Sequence, residues 1–253
     1  STDFIQINPN SYLVPVTIVF DNSEISWEKG PNGWKSKLQV YGSVTSLNKR
    51  IVYEFDDDIA LKRTPEQFES ELARYGVYQR KLVLKPGKYR LDLIVKDMVS
   101  GKVGTQATSL EVLKPPDTAL NTSSVVLTKD IEATDQDMVD PFVMGPFKMK
   151  PQVDRRFSNS DFLGFYFEIY NFKMDQASQT ADMEILYGIA PAGKEPERYS
   201  TLRRGIGQAY DRLYVARMVQ LTDLEPGRYQ LICKIRDKIK DESLILREQF
   251  RIQ

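Results

Sequence analysis

The sequence predicts an all-β protein of two tandem immunoglobulin/fibronectin-III-like β-sandwiches, the first with one short helix. Three observations carry that prediction. Leu84-Lys85-Pro86-Gly87-Lys88-Tyr89-Arg90-Leu91 returns in the second half as Leu224-Glu225-Pro226-Gly227-Arg228-Tyr229-Gln230-Leu231, and each copy runs on to an aspartate at the same offset, Asp97 and Asp237. A Pro-Gly turn followed by a tyrosine leading an alternating apolar strand is the pattern of a sandwich corner, whose tyrosine hydroxyl bonds back to nearby backbone. Short stretches of alternating apolar and polar residues lie on both sides of the pair Pro115-Pro116. Finally, 253 residues with 41% apolar and 28% charged side chains suffice for two ordinary cores.

The elements follow in order. Residues 12–20 and 35–44 alternate β-branched or aromatic residues with polar ones, and Asn8-Pro9-Asn10-Ser11 marks a turn ahead of the first. Lys29-Gly30-Pro31-Asn32-Gly33 forms a loop between Trp27 and Trp34. Residues 50–61 make a third strand, interrupted at Asp56-Asp57-Asp58. Thr64-Pro65-Glu66-Gln67 starts a helix, because threonine caps, proline is preset for the first turn and glutamine completes a capping box. Phe68, Leu72 and Tyr75 keep the helical period, and Gly76 ends the helix, which spans about 65–75. Residues 79–84, 89–96 and 105–113 complete a domain over 1–114, with Ser100-Gly101-Lys102 turning its last hairpin.

Residues 115–122 read as the linker, since paired prolines favour an extended spacer. The second domain, 123–253, takes strands from 123–127, 147–152, 162–172, 181–189, 213–221, 229–236 and 244–252.

Composition narrows the function. Thirty-five basic and thirty-five acidic residues cancel, and no basic run with interleaved aromatics tracks a phosphate backbone, so nucleic acid is not an expected partner. The chain has no histidine, which removes the usual neutral-pH base, the commonest zinc ligand and a serine-histidine triad. The expectation is that the protein is not an enzyme and takes no cofactor. No apolar run approaches the length of a membrane span. Cys233, the single cysteine, sits at a strand position equivalent to Leu93 and reads as a buried small hydrophobe against the alternative of a reactive thiol.

Four features invite a ligand. Asp56, Asp57 and Asp58 beside Glu54, and the looser set Asp135, Asp137 and Asp140, offer oxygen donors of the kind calcium takes, without the ligand order of a calcium loop. Glu54 and Asp57 are carboxylates of the kind a hydrolase pairs, but carboxylates are abundant here and spacing along the chain does not set the separation such a pair needs. Trp27, Trp34, Tyr41, Phe162, Phe165, Tyr166, Phe167 and Tyr170 are either core or a glycan-stacking platform. Strand alternation sends the neighbours Phe165, Tyr166 and Phe167 to opposite faces, so some of these rings belong at an interdomain or partner contact. Arg203-Arg204-Gly205-Ile206-Gly207 is a basic loop whose Gly-x-Gly is too short a signal for a phosphate cradle. The corner residues Pro86, Gly87, Tyr89, Pro226, Gly227 and Tyr229 are structural, and both tyrosines are expected to be largely buried.

Asn8-Pro9-Asn10-Ser11-Tyr12-Leu13-Val14-Pro15-Val16, Tyr78-Gln79-Arg80-Lys81-Leu82-Val83-Leu84-Lys85-Pro86-Gly87, Leu91-Asp92-Leu93-Ile94-Val95-Lys96-Asp97 and Ser100-Gly101-Lys102-Val103-Gly104-Thr105 resemble the C-terminal region of bacterial GWxTD-domain proteins. Phe142-Val143-Met144-Gly145, Lys150-Pro151-Gln152-Val153 and Leu163-Gly164-Phe165-Tyr166 continue the resemblance, which spans nearly the whole chain. Similar regions accompany von Willebrand factor A-type domains. The GWxTD segment itself is absent. The resemblance implies an exported protein of the periplasm or cell envelope, in which tandem sandwiches follow another domain, and it brings no catalytic residue. The start at Ser1-Thr2-Asp3-Phe4, without an initiator methionine or a charged-then-apolar leader, is that expected of a processed product or of a piece trimmed from something longer. The expected function is therefore a noncatalytic structural and protein-interaction module, with an unknown protein partner; the alternative is a carbohydrate-binding sandwich that presents exposed aromatics.

Overall fold

The computed structural model describes residues 1–135, 139–202, 206–209 and 211–253. The first half runs β1 (Ile5–Asn8), β2 (Ser11–Asp21), β3 (Glu28–Gly30), β4 (Gly33–Ser46), β5 (Ile51–Arg63), α1 (Pro65–Leu72), β6 (Tyr75–Leu84), β7 (Gly87–Asp97) and β8 (Val103–Val112). The second half runs β9 (Asn121–Thr122), β10 (Val126–Thr128), β11 (Glu132–Ala133), β12 (Val143–Met144), β13 (Phe147–Lys148), β14 (Arg156–Phe157), β15 (Phe162–Tyr170), β16 (Met183–Pro191), β17 (Ser200–Thr201), β18 (Ile206–Ala209), β19 (Arg212–Gln220), β20 (Gly227–Asp237) and β21 (Glu242–Ile252).

The protein is all-β, with its strands in antiparallel sheets apart from the parallel pair β14–β21. The first half pairs β1-β2-β6 in one sheet and β4-β7-β8, flanked by β3 and β5, in the other. Val14, Val16 and Leu82 from one sheet meet Val40, Val44, Phe55 and Leu91 from the other in a single buried cluster. The second half orders β10-β15-β19-β18 against β14-β21-β20-β16-β17, and Phe165, Phe167 and Val215 meet Ile185, Leu231, Cys233 and Ile235 between them. Strand order therefore repeats: β2 with β6 corresponds to β15 with β19, and β4-β7-β8 corresponds to β16-β20-β21.

Both corners form at corresponding points, where the chain crosses from one sheet to the other. Tyr89 Oη donates to Lys85 O and Tyr229 Oη to Glu225 O, each at 2.9 Å and each four residues back. The expectation of deep burial needs correction: both rings are half-buried. One face of each packs on its core, and Tyr229 stacks on Phe250, but the hydroxyl must reach a turn carbonyl at the rim. Replacing either tyrosine with phenylalanine is expected to lower stability by about 1 kcal/mol, the worth of a typical hydrogen bond, as read by urea denaturation.

The helix starts where expected. Thr64 accepts from the Gln67 amide while the Gln67 side chain accepts from the Thr64 amide. It ends at Leu72, two turns long, rather than near 75. Tyr75 and Gly76 already belong to β6, where Gly76 pairs with Phe20, and a Cβ on Gly76 would lie 1.9 Å from the Phe20 ring. The glycine serves that close approach, not a helix cap. The break expected at Asp56-Asp57-Asp58 is also absent: β5 runs through it, in continuous register with Tyr41, Val40 and Gln39 of β4. The spacer expected over 115–122 is shorter, since Leu120 is buried in the second cluster and Asn121–Thr122 pair with β15.

A third cluster joins the halves. Ile5 of β1 and Leu13 of β2 pack with Val126, Met144, Met149, Tyr166 and Ala216. β2 is buried on both faces from Tyr12 to Thr17 for this reason, and so is β15 from Leu163 to Tyr170.

Candidate functional site at the junction of the halves

The junction holds a heavily buried polar cluster. In β15 the odd residues Leu163, Phe165, Phe167 and Ile169 enter the second core, so alternation turns Tyr166, Glu168 and Tyr170 to the other face. Glu168 is 2% exposed. Its Oε1 accepts from Tyr166 Oη at 2.7 Å, and its Oε2 accepts from Tyr170 Oη at 2.9 Å and Arg212 Nη1 at 3.1 Å. Burial, and then the Glu168 charge, raise the Tyr166 and Tyr170 hydroxyls far above the ordinary phenol value. Hydrogen bonds to Asp211 and the Glu168 charge keep Arg212 cationic despite burial.

This cluster seals a strand edge. β1 pairs with β2 on one side only, which leaves backbone groups on its other side without a ladder partner. The second half supplies side chains to them. Ser124 Oγ accepts from the Phe4 amide at 3.0 Å, and the Ser124 amide donates to Phe4 O at 3.0 Å. Tyr170 Oη accepts from the Gln6 amide at 3.1 Å, while Arg212 Nη1 donates to Gln6 O at 3.0 Å and Nη2 to Ile7 O at 3.2 Å. A register shift between Gln6 and Asn8 accounts for two successive carbonyls facing one guanidinium. Lys81 of β6 adds bonds to Asp140 O at 2.9 Å and Val143 O at 2.6 Å. A cleft of about 280 Å³ opens beside the clamp, lined by Ile5, Leu13, Met144 and Tyr214 with Glu168 and Arg212 at its polar end.

A second charged group lies nearby. Asp3 is 7% exposed, and burial pushes its carboxyl up to about 6 against the attraction of the Ser1 ammonium and then of Arg155, the latter partly cancelled by Glu248, which Arg155 Nη1 binds at 2.5 Å. Glu248 is itself raised by burial. A raised carboxyl pKa means that the folded state holds its proton more tightly than the unfolded chain, so stability falls as pH rises from about 4 to about 6 and stays low above. Asp3→Asn is expected to be more stable than wild type by about 3 kcal/mol above pH ~7, with the gap closing below pH ~4, as read by urea midpoints across that range.

The sequence-predicted sites fall elsewhere. Asp56 and Asp58 project to one side of β5 and Asp57 to the other. Asp58 pairs with Lys37 at 2.7 Å, Asp56 accepts from Gln39, and Asp57 accepts from the Tyr78 hydroxyl and Arg80. Glu54, which binds the Tyr41 hydroxyl, faces away from Asp57, so the hydrolase-like pair does not form. Asp140 binds Lys148 at 2.7 Å and is lowered chiefly by that bond; Asp135 stands exposed, and Asp137 lies outside the described residues. Among the described residues no group of three or more acidic, cysteine or histidine side chains is placed to hold a metal. Arg203, Arg204 and Gly205 also lie outside the described residues, while Ile206 and Gly207 enter β18.

Trp27 and Trp34 are half-buried and hold the helix. Phe68 stacks on Trp34 at 4.2 Å and meets Trp27 edge-on at 5.5 Å, and Arg63 lies over Trp27. Phe68 thus takes a ring face that a sugar would need. Phe162 is exposed, Phe165 and Phe167 are core, and Tyr166 and Tyr170 sit at the contact between halves, as alternation suggested. Cys233 is buried, and burial, then Glu248, push its thiol up to about 12, so it remains protonated. Glu168 and Arg212 were not singled out from sequence. The available signal was a glutamate within Phe165-Tyr166-Phe167-Glu168-Ile169-Tyr170, flanked at two residues on each side by a same-face tyrosine.

No family model matches the sequence, and no curated protein matches it. Among solved structures it is similar to the C-terminal domain of the Streptococcus agalactiae AgI/II polypeptide BspA, at 8% identity over 100% of this chain and 99% of that one, with a TM-score of 0.22. That likeness is too remote to argue fold or role from.

Proposed function

We propose that this chain is a noncatalytic structural and protein-interaction module of an exported bacterial protein, in the periplasm or cell envelope. In this reading the chain is two tandem immunoglobulin/fibronectin-III-like sandwiches, 1–114 and 123–253, as the resemblance to the β region of GWxTD-domain proteins implies, and the contact between them makes them act as one stiff body. The observation that carries it is the clamp. Glu168, Tyr166, Tyr170 and Arg212 satisfy one another and the edge of β1, so this buried polar cluster spends its groups on holding two halves together. Glu168 and Arg212 line the adjoining cleft, but both are already engaged there, Glu168 by two tyrosine hydroxyls and Arg212 by Glu168 and two β1 carbonyls, whereas a catalytic base or nucleophile would be left to face substrate.

The test is retention of a protein partner from a bacterial envelope extract by the immobilised chain, compared with the double variant Glu168→Gln/Arg212→Met. Capture by wild type, weakened in the variant as small-angle scattering shows its halves separating, is the expected outcome. A chain that retains nothing, or a variant whose halves stay together, would count against the proposal.

A further inference from the structure

The two sheets of the first half differ in width. β1-β2-β6 faces a sheet that carries β8 beyond β7, and Val103 to Ser109 are exposed on both faces, with only Leu110 and Val112 of that strand buried. β8 thus overhangs the core as a terminal strand, with no neighbour on its outer side among the described residues. Other long edges carry protection: β5 bears Glu54, Asp56, Asp58 and Lys62, β1 is sealed by the clamp, and β6 presents Arg80 and Lys81. β8 has no charge and no proline from Val103 to Leu110. Long, uncharged edges of this kind template pairing with another strand.

We infer that β8 pairs antiparallel with β8 of a second copy of this chain, on a two-fold axis at Ala107. The backbone fixes which groups face outward. Lys102 O accepts from the Asp97 amide at 2.9 Å, so Lys102 and every second residue after it turn toward β7. The N–H and C=O groups of Val103, Thr105, Ala107 and Ser109 then point outward, and Ala107 O accepts from the Gln106 side chain at 3.2 Å, a bond that a pairing strand would exchange for its own. A symmetric antiparallel pair must set outward residues against outward residues. The axis at Ala107 does so, placing Thr105 opposite Ser109 and Gln106 opposite Thr108, pairs that bond across strands. Val103 comes opposite Glu111 and Lys102 opposite Val112, so no like charges meet, and the small Ala107 lets the backbones approach. The sheet would continue unbroken through both copies. This association adds to the proposed interaction role and does not depend on it.

The test is sedimentation equilibrium from low to high micromolar protein, with melting curves as the fold control. Wild type is expected to dimerise. Ala107→Pro removes an outward N–H and spares the β7 ladder, so it is expected to melt as wild type does and to stay monomeric. Ala107→Glu and Ala107→Lys each oppose like charges across the axis and are expected to be monomeric alone, but to associate when mixed one to one. A wild type that stays monomeric throughout, an Ala107→Pro variant that dimerises, or charge variants that fail to associate on mixing would each overturn the pairing. Envelope-partner capture by monomeric Ala107→Pro would leave the interaction role intact, so the two readings fail separately.

Discussion

Replacing Arg212 with methionine is expected to lower the stability of the protein by about 3 to 5 kcal/mol, the loss seen when one partner of a buried ion pair is removed. Methionine keeps an apolar stem, so the loss isolates the charge. Glu168, 2% exposed, would keep its two tyrosine donors but have no cation, and Gln6 O and Ile7 O would have no donor from this side chain. Surface ion pairs elsewhere, such as Lys37–Asp58 with both side chains about half exposed, are worth about 1 kcal/mol or less and make the natural controls. Adding Glu168→Gln to Arg212→Met removes the uncompensated charge and is expected to recover part of the loss, as read by a double-mutant cycle in urea. Hydrogen exchange at the Gln6 amide should accelerate in the single variant, since Tyr170 loses the neighbour that positions it. A single variant that costs less than about 1 kcal/mol would show Glu168 to be solvated and the clamp to be incidental.

What could be read in the sequence was what the chain encodes locally. The Pro-Gly corners, the capping box at Thr64 and the alternation of 162–170 are set by neighbours a few residues apart, and each appears in the fold. The helix ran short of expectation because its end is a tertiary matter: Gly76 is claimed by the Phe20 ring across the β2–β6 ladder. Asp56-Asp57-Asp58 looks like one acidic patch along the chain, but strand alternation hands the three carboxylates to Gln39, Tyr78 with Arg80, and Lys37. The clamp was the hardest to see. Arg212 meets Glu168 from 44 residues away and Gln6 from 206, and no local pattern records which strand edge the second half will cover.

The repeated aspartate has a physical role as definite as that of the repeated tyrosine. Asp237, fully buried, accepts from the amides of Ile239 and Lys240 at 3.0 Å through Oδ1 and from the Lys173 amide at 2.7 Å through Oδ2. Asp97 does the same with Val99 and Ser100 through Oδ1 and with Ser26 through Oδ2. Each closes a hairpin and ties it to a loop from elsewhere in its half. Asp237→Ala is expected to cost about 3 kcal/mol or more in urea denaturation, since three N–H groups lose their acceptor and each buried orphan costs about 1 to 3 kcal/mol. Asp237→Asn separates the two duties. Its oxygen can keep the turn, but its amide would face the Lys173 N–H, so an intermediate loss and faster exchange at Lys173 alone are expected. The Asp97 carboxyl, which burial by itself would raise, is drawn down to about 2 by the Ser26, Ser100 and Val99 donors. Its stabilisation is therefore complete above pH ~4 and disappears as pH falls toward 2, a slope that Asp97→Asn should lack. If alanine at 97 or 237 costs no more than an ordinary surface change, the aspartates merely share an offset, and the repeat reduces to its corner.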